Sequence, residues 1–474
     1  MKIVCCNLFP IQSIKNTRML NYKIIWFVLA SMVMLSCKKD WIEVKSDKSL
    51  DVPTSIEDFQ AMLDNAVIMN DNRPSLGEIS ADNYYLTDAL WDSWVSINRN
   101  AHIWAGDIYS EITTDQFNWN TSYRQVFYAN IALEGIDKVE QQGYNAAAWN
   151  NVKGSALFFR GEAFFNLSQL FSKPYSLTGT DGAGIPLRLN ANPNDASVRS
   201  GLQQTYDQIL SDLQGSVDYL PVIPLYKTRP SKPAAYALLS RFYLVKQDYV
   251  NGLKYADLCL KLYDSLLDYN TLNANATFPI PALNREVIFM TTMENAAFLP
   301  GTHIVDSNLY NGYDLNDLRK KILYRANTAG QLYFNGTYTG GALIQNSRTF
   351  GGIATDEVYL TRAECYARTG NITAAMDDLN AVMSKRMKTG FFVPFTAANS
   401  GDALKLVLQE RRKETPFRGL RWLDLRRLNS EGANITLTRT VKGQLYTLPP
   451  NDPKYVLPIP PDVISLTGMN QNER

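Results

Sequence analysis

From about residue 122 onward, apolar positions recur at three- and four-residue spacing, the period of one helix face. They come in pairs. In Ala234–Leu260 the residues Ala235, Leu238, Leu239, Phe242 and Val245 mark one helix, and Lys246-Gln247-Asp248 break it. Leu253, Ala256 and Leu260 mark a second, and small Ala237 and Ala256 let the two lie close and antiparallel. The pattern returns at 357–383: laying Tyr243 on Tyr366 superimposes Asp248 on Asn371, Tyr249 on Ile372 and Gly252 on Ala375. That is a tetratricopeptide-like cadence. Looser pairs join Ser122–Val139 to Val152–Phe171, and Thr205–Leu220 to a helix starting near Pro233. Such pairs bury their faces only by stacking, so the pattern predicts a mainly α scaffold with little β. Residues 172–200 and 268–352, rich in Gly, Asn, Pro and Thr, read as long irregular insertions, where binding sites tend to lie.

The N-terminus reads differently. Residues 1–36 carry Lys2, Lys15, Arg18 and Lys23 and no acid, and residues 24–35 are an apolar run closing at Ser36-Cys37. This is the form of a secretory signal peptide. The run is shorter than the about 20 residues that cross a bilayer; a short anchor or a core helix is the alternative. Met19–Cys37 forms a complete signal by itself, so either Met1 or Met19 can be the start. Leu-Ser-Cys at 35–37 resembles a bacterial lipobox, with Met34 where Leu is usual, which makes Cys37 the lipidated residue. Several acyl tails there would tether an otherwise soluble protein stably.

Composition removes several classes of function. The chain of 474 residues has 47 Lys and Arg against 46 Asp and Glu, so no global field draws it to nucleic acid. Its two histidines, His102 and His303, lie far apart without a nucleophile or metal motif beside them. Beyond the signal and Cys37 only Cys259 and Cys365 remain, in helical contexts, as expected of buried reduced thiols rather than a zinc or disulfide framework. Asp306–Gly312 is loosely similar to a calcium loop but falls out of its register. No catalytic residue, metal or cofactor is expected.

Aromatic residues supply the positive indication. Tyr84, Tyr85, Trp91, Trp94, Trp104, Tyr109, Phe117 and Trp119 fall within 36 residues, beside Asp82, Asn83, Asp92, Asn98, Arg99 and Asn100. Exposed rings stack on the C–H faces of sugars while polar neighbours bond the hydroxyls. Tyr84, Tyr85, Trp91, Trp94 and Asn98 are therefore ligand-binding candidates, with Tyr310, Tyr313 and Tyr338 as a second group. The alternative is a buried cluster stitching this segment onto the helices.

The stretch 409–428, QERRKETPFRGLRWLDLRRL, holds seven basic residues in twenty. An exported protein meets no nucleic acid, so these residues need local partners, and Glu410, Glu414 and Asp424 offer three. Arg421 and Asp424, three apart, can face one another across a turn. Trp422, Leu425 and Leu428 are the expected apolar side, and Gly419 the turn between two short helices. Arg421, Trp422 and Asp424 thus read as a structural brace.

Taken together, these stretches resemble the SusD/RagB family of outer-membrane nutrient-binding lipoproteins. The motifs are Ser36-Cys37 with the following Lys-Lys-Asp-Trp-Ile-Glu-Val-Lys45, Val52–Leu63, Ala156–Leu167 around Arg160, Glu357–Asn380, Gln409–Arg427, and Tyr455–Pro460 with Gln471-Asn472. Arg418 stands where many members have Glu, and the chain closes Gln-Asn-Glu-Arg rather than with Gly-Tyr or Pro. The resemblance implies a SusD-like fold, with helix pairs forming a right-handed scaffold that carries long irregular loops. It implies a signal peptide over 1–36, a lipidated tether and N-terminal segment over 37–60, and one domain over 61–474. That domain has an N-terminal part at about 61–200 and a C-terminal part at about 265–474. It further implies a non-enzymatic, cell-surface binder that passes glycans, or in some members peptides, to a SusC-like TonB-dependent transporter. Two other readings remain, a periplasm-facing scaffold that binds protein partners and a glycoside hydrolase.

Overall fold

The structure is a computed structural model that describes residues 53–474, apart from 177–178, 180–181, 294–297, 299–300 and 341–348. The signal, Cys37 and residues 38–52 of the tether lie outside the described residues. Thr54–Arg474 form one compact unit. Its first helix, α1 (Ile56–Leu63), starts at a capping box in which Ser55 and Asp58 bond each other's backbone amides.

Long helices follow: α2 (Thr121–Ile136), α3 (Ala146–Phe171), α4 (Leu202–Tyr219), α5 (Lys232–Val245) and α6 (Tyr249–Leu260). After the second insertion come α7 (Thr355–Arg368), α8 (Ile372–Met383), α9 (Ser400–Glu414) and α10 (Arg421–Ser430). Each helix packs on the next from α2 to α8, and α9 closes on α7 and α8. The chain is mainly α, as the periodicity predicts. One pairing differs: α4 lies mainly along α3 and only secondarily along α5. Gly154 and Gly161 explain this, since a side chain at either would meet α4 or Leu220 at 3.0 Å.

The internal repeat is reproduced atom for atom at the turns. Asp248 and Asn371 cap their helices with φ, ψ of −92°, 81° and −90°, 81°, accepting from Asn251 N and Ala374 N. In both turns the capping amide donates to the aromatic carbonyl five residues back, Tyr243 O and Tyr366 O, at 2.9 Å. The residue before each cap is left-handed, Gln247 at φ 61° and Gly370 at φ 89°. Gly252 sits where α6 meets α7, a Cβ there being 3.0 Å from Cys365 Sγ. Cys259 and Cys365 are buried and unpaired.

Short strands fasten the second insertion to the scaffold. Thr292–Met293 bridges Asp71–Arg73 and Thr349–Phe350, Val287–Phe289 pairs with Ile353–Ala354, and Tyr84–Tyr85 pairs with Ile304–Val305.

The arginine-rich stretch spans the end of α9, a turn and α10, with Gly419 left-handed at φ 75° in the turn. Trp422, Leu425 and Leu428 are buried, as expected of an apolar side. The ion pairs bear out Asp424 and Glu410 as partners for basic residues within the stretch, Arg411, Arg427 and Lys413, but correct the pairing of Arg421. Arg421 pairs with Asp82, not Asp424, placing Nε 2.6 Å from Oδ1 and Nη2 2.8 Å from Oδ2. Asp424 instead accepts from Arg411 and Arg427, each at 2.9 Å. Glu410 and Glu414 turn to Arg319, and Glu414 also to Arg386. Buried carboxylates need charged donors, and for Asp82, Glu410 and Glu414 the folded chain brings arginines from distant segments. Arg418, at the departure from the family pattern, pairs with Asp356 at 2.6 Å.

Candidate functional site

Tyr84 and Tyr85 form a two-residue strand, so their side chains take opposite faces. Tyr84 points inward and is buried; Tyr85 points out and is 43% exposed. The inward face joins an aromatic core of Trp94, His102, Phe298, His303 and Phe417. The Tyr84 hydroxyl donates to Ile79 O at 2.6 Å and lies 3.0 Å from His102 Nδ1. Its one proton being spent on Ile79, His102 is the donor of the second bond. Burial, seconded by Arg439, lowers the His102 pKa well below the usual histidine value, so the ring is neutral. Arg439 lies 5.3 Å above Tyr84 and 4.6 Å above Trp104, and donates to the carbonyls of Ile79, Ala81 and His102.

On the outer side, Tyr85, Asp82, Asp306, Leu86 and the strand Leu437–Val441 wall a cavity of about 220 Å³, with Tyr84 and His102 at its base. Asp82 is fixed by Arg421, and Arg412 Nη2 lies 3.1 Å from its Oδ2 and 3.9 Å from Asp306 Oδ1. Burial pushes the Asp82 carboxyl up, but Arg421 and Arg412 outweigh it and hold it well below the usual carboxylate range. Asp306 caps the short helix Ser307–Asn311, accepting from Leu309 N at 2.9 Å. Its stretch is therefore a helix start, and no group of metal-ligating side chains occurs among the described residues.

The remaining candidates divide by exposure. Trp94 is buried, its Nε1 donating to Thr302 O at 3.0 Å. Trp91 is half-buried, its indole donating to Arg99 O, with the Arg99 guanidinium 5.4 Å and the Lys442 ammonium 5.2 Å over the ring. Asn98 is half-buried on the short helix Ser96–His102. In the second group Tyr313 and Tyr338 are buried, because their hydroxyls serve Lys413 O and the Glu286 carboxylate; Tyr310 is half-buried under Lys320. Tyr313 and Tyr338 are core tyrosines, and Tyr310 packs against the core from its edge. Asp306, Arg412, Thr438 and Thr440 join the site through tertiary pairing, and no sequence spacing connects them with Tyr85.

Two family models match. One, described as starch-binding and associating with the outer membrane, covers residues 40–244, and that of the SusD family covers residues 355–474. The chain belongs to the SusD/RagB family. Among solved structures it is similar to a SusD superfamily protein from Bacteroides thetaiotaomicron, at 23% identity and TM-score 0.70, over 89% of this chain and 100% of that one. A putative sugar binding protein from Bacteroides vulgatus matches at 21% identity and TM-score 0.70, over 89% and 99%. A laminarin-binding SusD-like protein matches at 18% identity and TM-score 0.61, over 87% and 97%. These likenesses establish the SusD-like fold. No curated protein matches the chain.

Proposed function

We propose that this SusD-family protein is a lipid-anchored, non-enzymatic glycan-binding protein of the outer-membrane surface. It hands oligo- or polysaccharide to a SusC-like TonB-dependent transporter. The observation that carries the reading is membership in a family whose matching model is described as starch-binding and outer-membrane-associated. The shared fold with a laminarin-binding protein supports it. In this reading 1–36 is the signal, Cys37 carries the lipid at the head of the tether, and the compact unit Thr54–Arg474 is the binding domain. No described helix is long and apolar enough to cross a membrane.

Tyr85 is the stacking face, and Asp82, Asp306, Arg412 and the hydroxyls of Thr438 and Thr440 are the polar partners for sugar hydroxyls. Trp91 and Asn98 extend the surface, while Tyr84 and Trp94 support it from beneath. Pockets that engulf a ligand begin at roughly 300 Å³. This smaller cavity suits a mode in which one ring is held and the chain lies across the surface.

Calorimetry with a panel of neutral and acidic oligosaccharides and peptides tests the ligand class, and purification from native membranes tests the partner. Saturable glycan binding and a co-purifying β-barrel are expected. The reading fails if no glycan binds and the protein is recovered alone.

A further inference from the structure

Six of the seven basic side chains in 409–428 are ion-paired: Arg411, Arg412, Lys413, Arg418, Arg421 and Arg427. The seventh, Arg426, is 3% exposed and pairs with no carboxylate among the described residues. Its Nη2 donates to the Ser172 carbonyl at 2.5 Å, while Nε and Nη1 are buried without an acceptor. Burial lowers its pKa only to about 10, so the guanidinium is charged at neutral pH. A buried cation with unmade hydrogen bonds is costly, and native proteins compensate such groups with a partner or a ligand.

Arg426 lines a cavity of about 460 Å³ that shares no lining residue with the Tyr85 pocket, together with Lys173, Asn429, Asp452, Tyr455 and Glu473. None of these neutralises it. Asn429 is spent on Ile435 and the Tyr455 hydroxyl, accepting from Ile435 N at 2.7 Å and donating to Tyr455 at 3.2 Å. Asp452 caps the turn Pro453–Tyr455, accepting from Lys454 N at 2.9 Å. Glu473 is exposed, and so is Lys173, a second positive charge at the wall. Tyr206, whose ionised form would favour the charged guanidinium, is a neutral phenol whose ionisation burial pushes up. A roomy cavity, a buried guanidinium with spare donors and a second cation at the rim are the parts of an oxyanion site.

We propose that this cavity binds an oxyanion, the carboxylate or sulfate of an acidic ligand, with Arg426 as its buried cation. The site is independent of the glycan reading, and an acidic sugar and a free ion are its two sources of the same chemistry. The test is thermal shift and calorimetry on the folded protein with sodium sulfate, with chloride at matched ionic strength, with trigalacturonate and with neutral maltotriose. Sulfate or trigalacturonate binds saturably, and chloride and maltotriose do not act at this site. Arg426→Met weakens anion binding about tenfold or more, the loss expected for a charge-assisted pair. Lys173→Ala weakens it less, and Tyr85→Ala leaves it unchanged, which separates this site from the glycan pocket. Tighter trigalacturonate than sulfate identifies an acidic sugar, and the reverse a free ion. The proposal is overturned if neither anion binds, or if Arg426→Met binds like the wild type. Should Arg426→Met fail to fold, Lys173→Ala decides: undiminished anion affinity in that exposed-site variant overturns it.

Discussion

Arg421 grips Asp82, 339 residues earlier in the chain, with both carboxylate oxygens bonded by one guanidinium. Asp82 is also a wall of the Tyr85 cavity. The most recognisable stretch of the sequence therefore mainly holds the candidate site in place, lending it Arg412 alone. Arg421→Ala leaves Asp82 with Arg412 alone. Because Asp82 is partly solvated, a loss of about 2–3 kcal/mol is expected rather than the 3–5 of a fully buried pair. Glycan affinity falls with it. Denaturant unfolding and calorimetry on the same preparation check both.

Asp424→Ala makes a contrast. Asp424 serves Arg411 and Arg427 inside the fold and touches no wall of the cavity. Its removal leaves Arg411 only the Thr361 hydroxyl, and about 3–5 kcal/mol of stability is lost. Wherever the variant is still folded, glycan affinity equals that of the wild type. Equal affinity losses in Arg421→Ala and Asp424→Ala would remove the distinction.

Glu78 predicts a pH dependence. Its carboxyl is buried beneath Asn83 and Gly419 N, and burial outweighs those hydrogen bonds, raising its pKa from 4.5 to about 7. A carboxyl raised in the folded state binds more protons there than when unfolded, so stability falls as pH rises from about 4.5 through about 7. Asp82, Asp424 and Glu364 are held below their ordinary values by their arginines and act oppositely, withdrawing stability as pH drops through the carboxylate range. Denaturation between pH 4 and 9 shows a maximum on the acid side of neutrality. Glu78→Gln loses some stability throughout, since one of its two donors is left unmatched, but flattens the limb above pH 5.

The two matched turns differ in one respect that mutation can read. Nothing lies within 4 Å of a Cβ built on Gly370, whose φ is 89°, so Gly370→Ala costs only the left-handed conformation, about 1–2 kcal/mol. Gln247 occupies the same conformation in the other copy and loses a bond to Ser430 Oγ on replacement. Gln247→Gly is therefore within about 0.5 kcal/mol of neutral, the two effects opposing. Thermal denaturation of both variants is the check.

The repeat was legible because helix faces and caps are local: Tyr243 and Tyr366, Asp248 and Asn371 align in sequence and in space. Of the arginine partners only Asp424 was, through Arg411 and Arg427 rather than Arg421. Asp82, Arg319, Glu364 and Arg386 come from other segments, and an i, i+3 spacing such as Arg421 and Asp424 marks proximity without choosing between competing partners. Aromatic composition located the Tyr84–Trp119 region but gave no side to each ring. Strand alternation sent Tyr84 in and Tyr85 out, and Arg99 and Lys442 took up the Trp91 ring. Asp306 stood out only through its loose likeness to a calcium loop, which the helix cap accounts for, and Arg439 carried no signal in the sequence.

Glycan affinity of Tyr85→Ala, measured by calorimetry against the best ligand of the panel, tests the central claim most directly. Tyr85 is exposed and makes none of the core's ring contacts, so the variant should melt within about 0.5 kcal/mol of the wild type. Loss of its stacking face is expected to weaken binding about tenfold or more, equivalent to about 1.4 kcal/mol. A Tyr85→Ala protein that folds normally and binds the glycan as tightly as wild type would contradict the account.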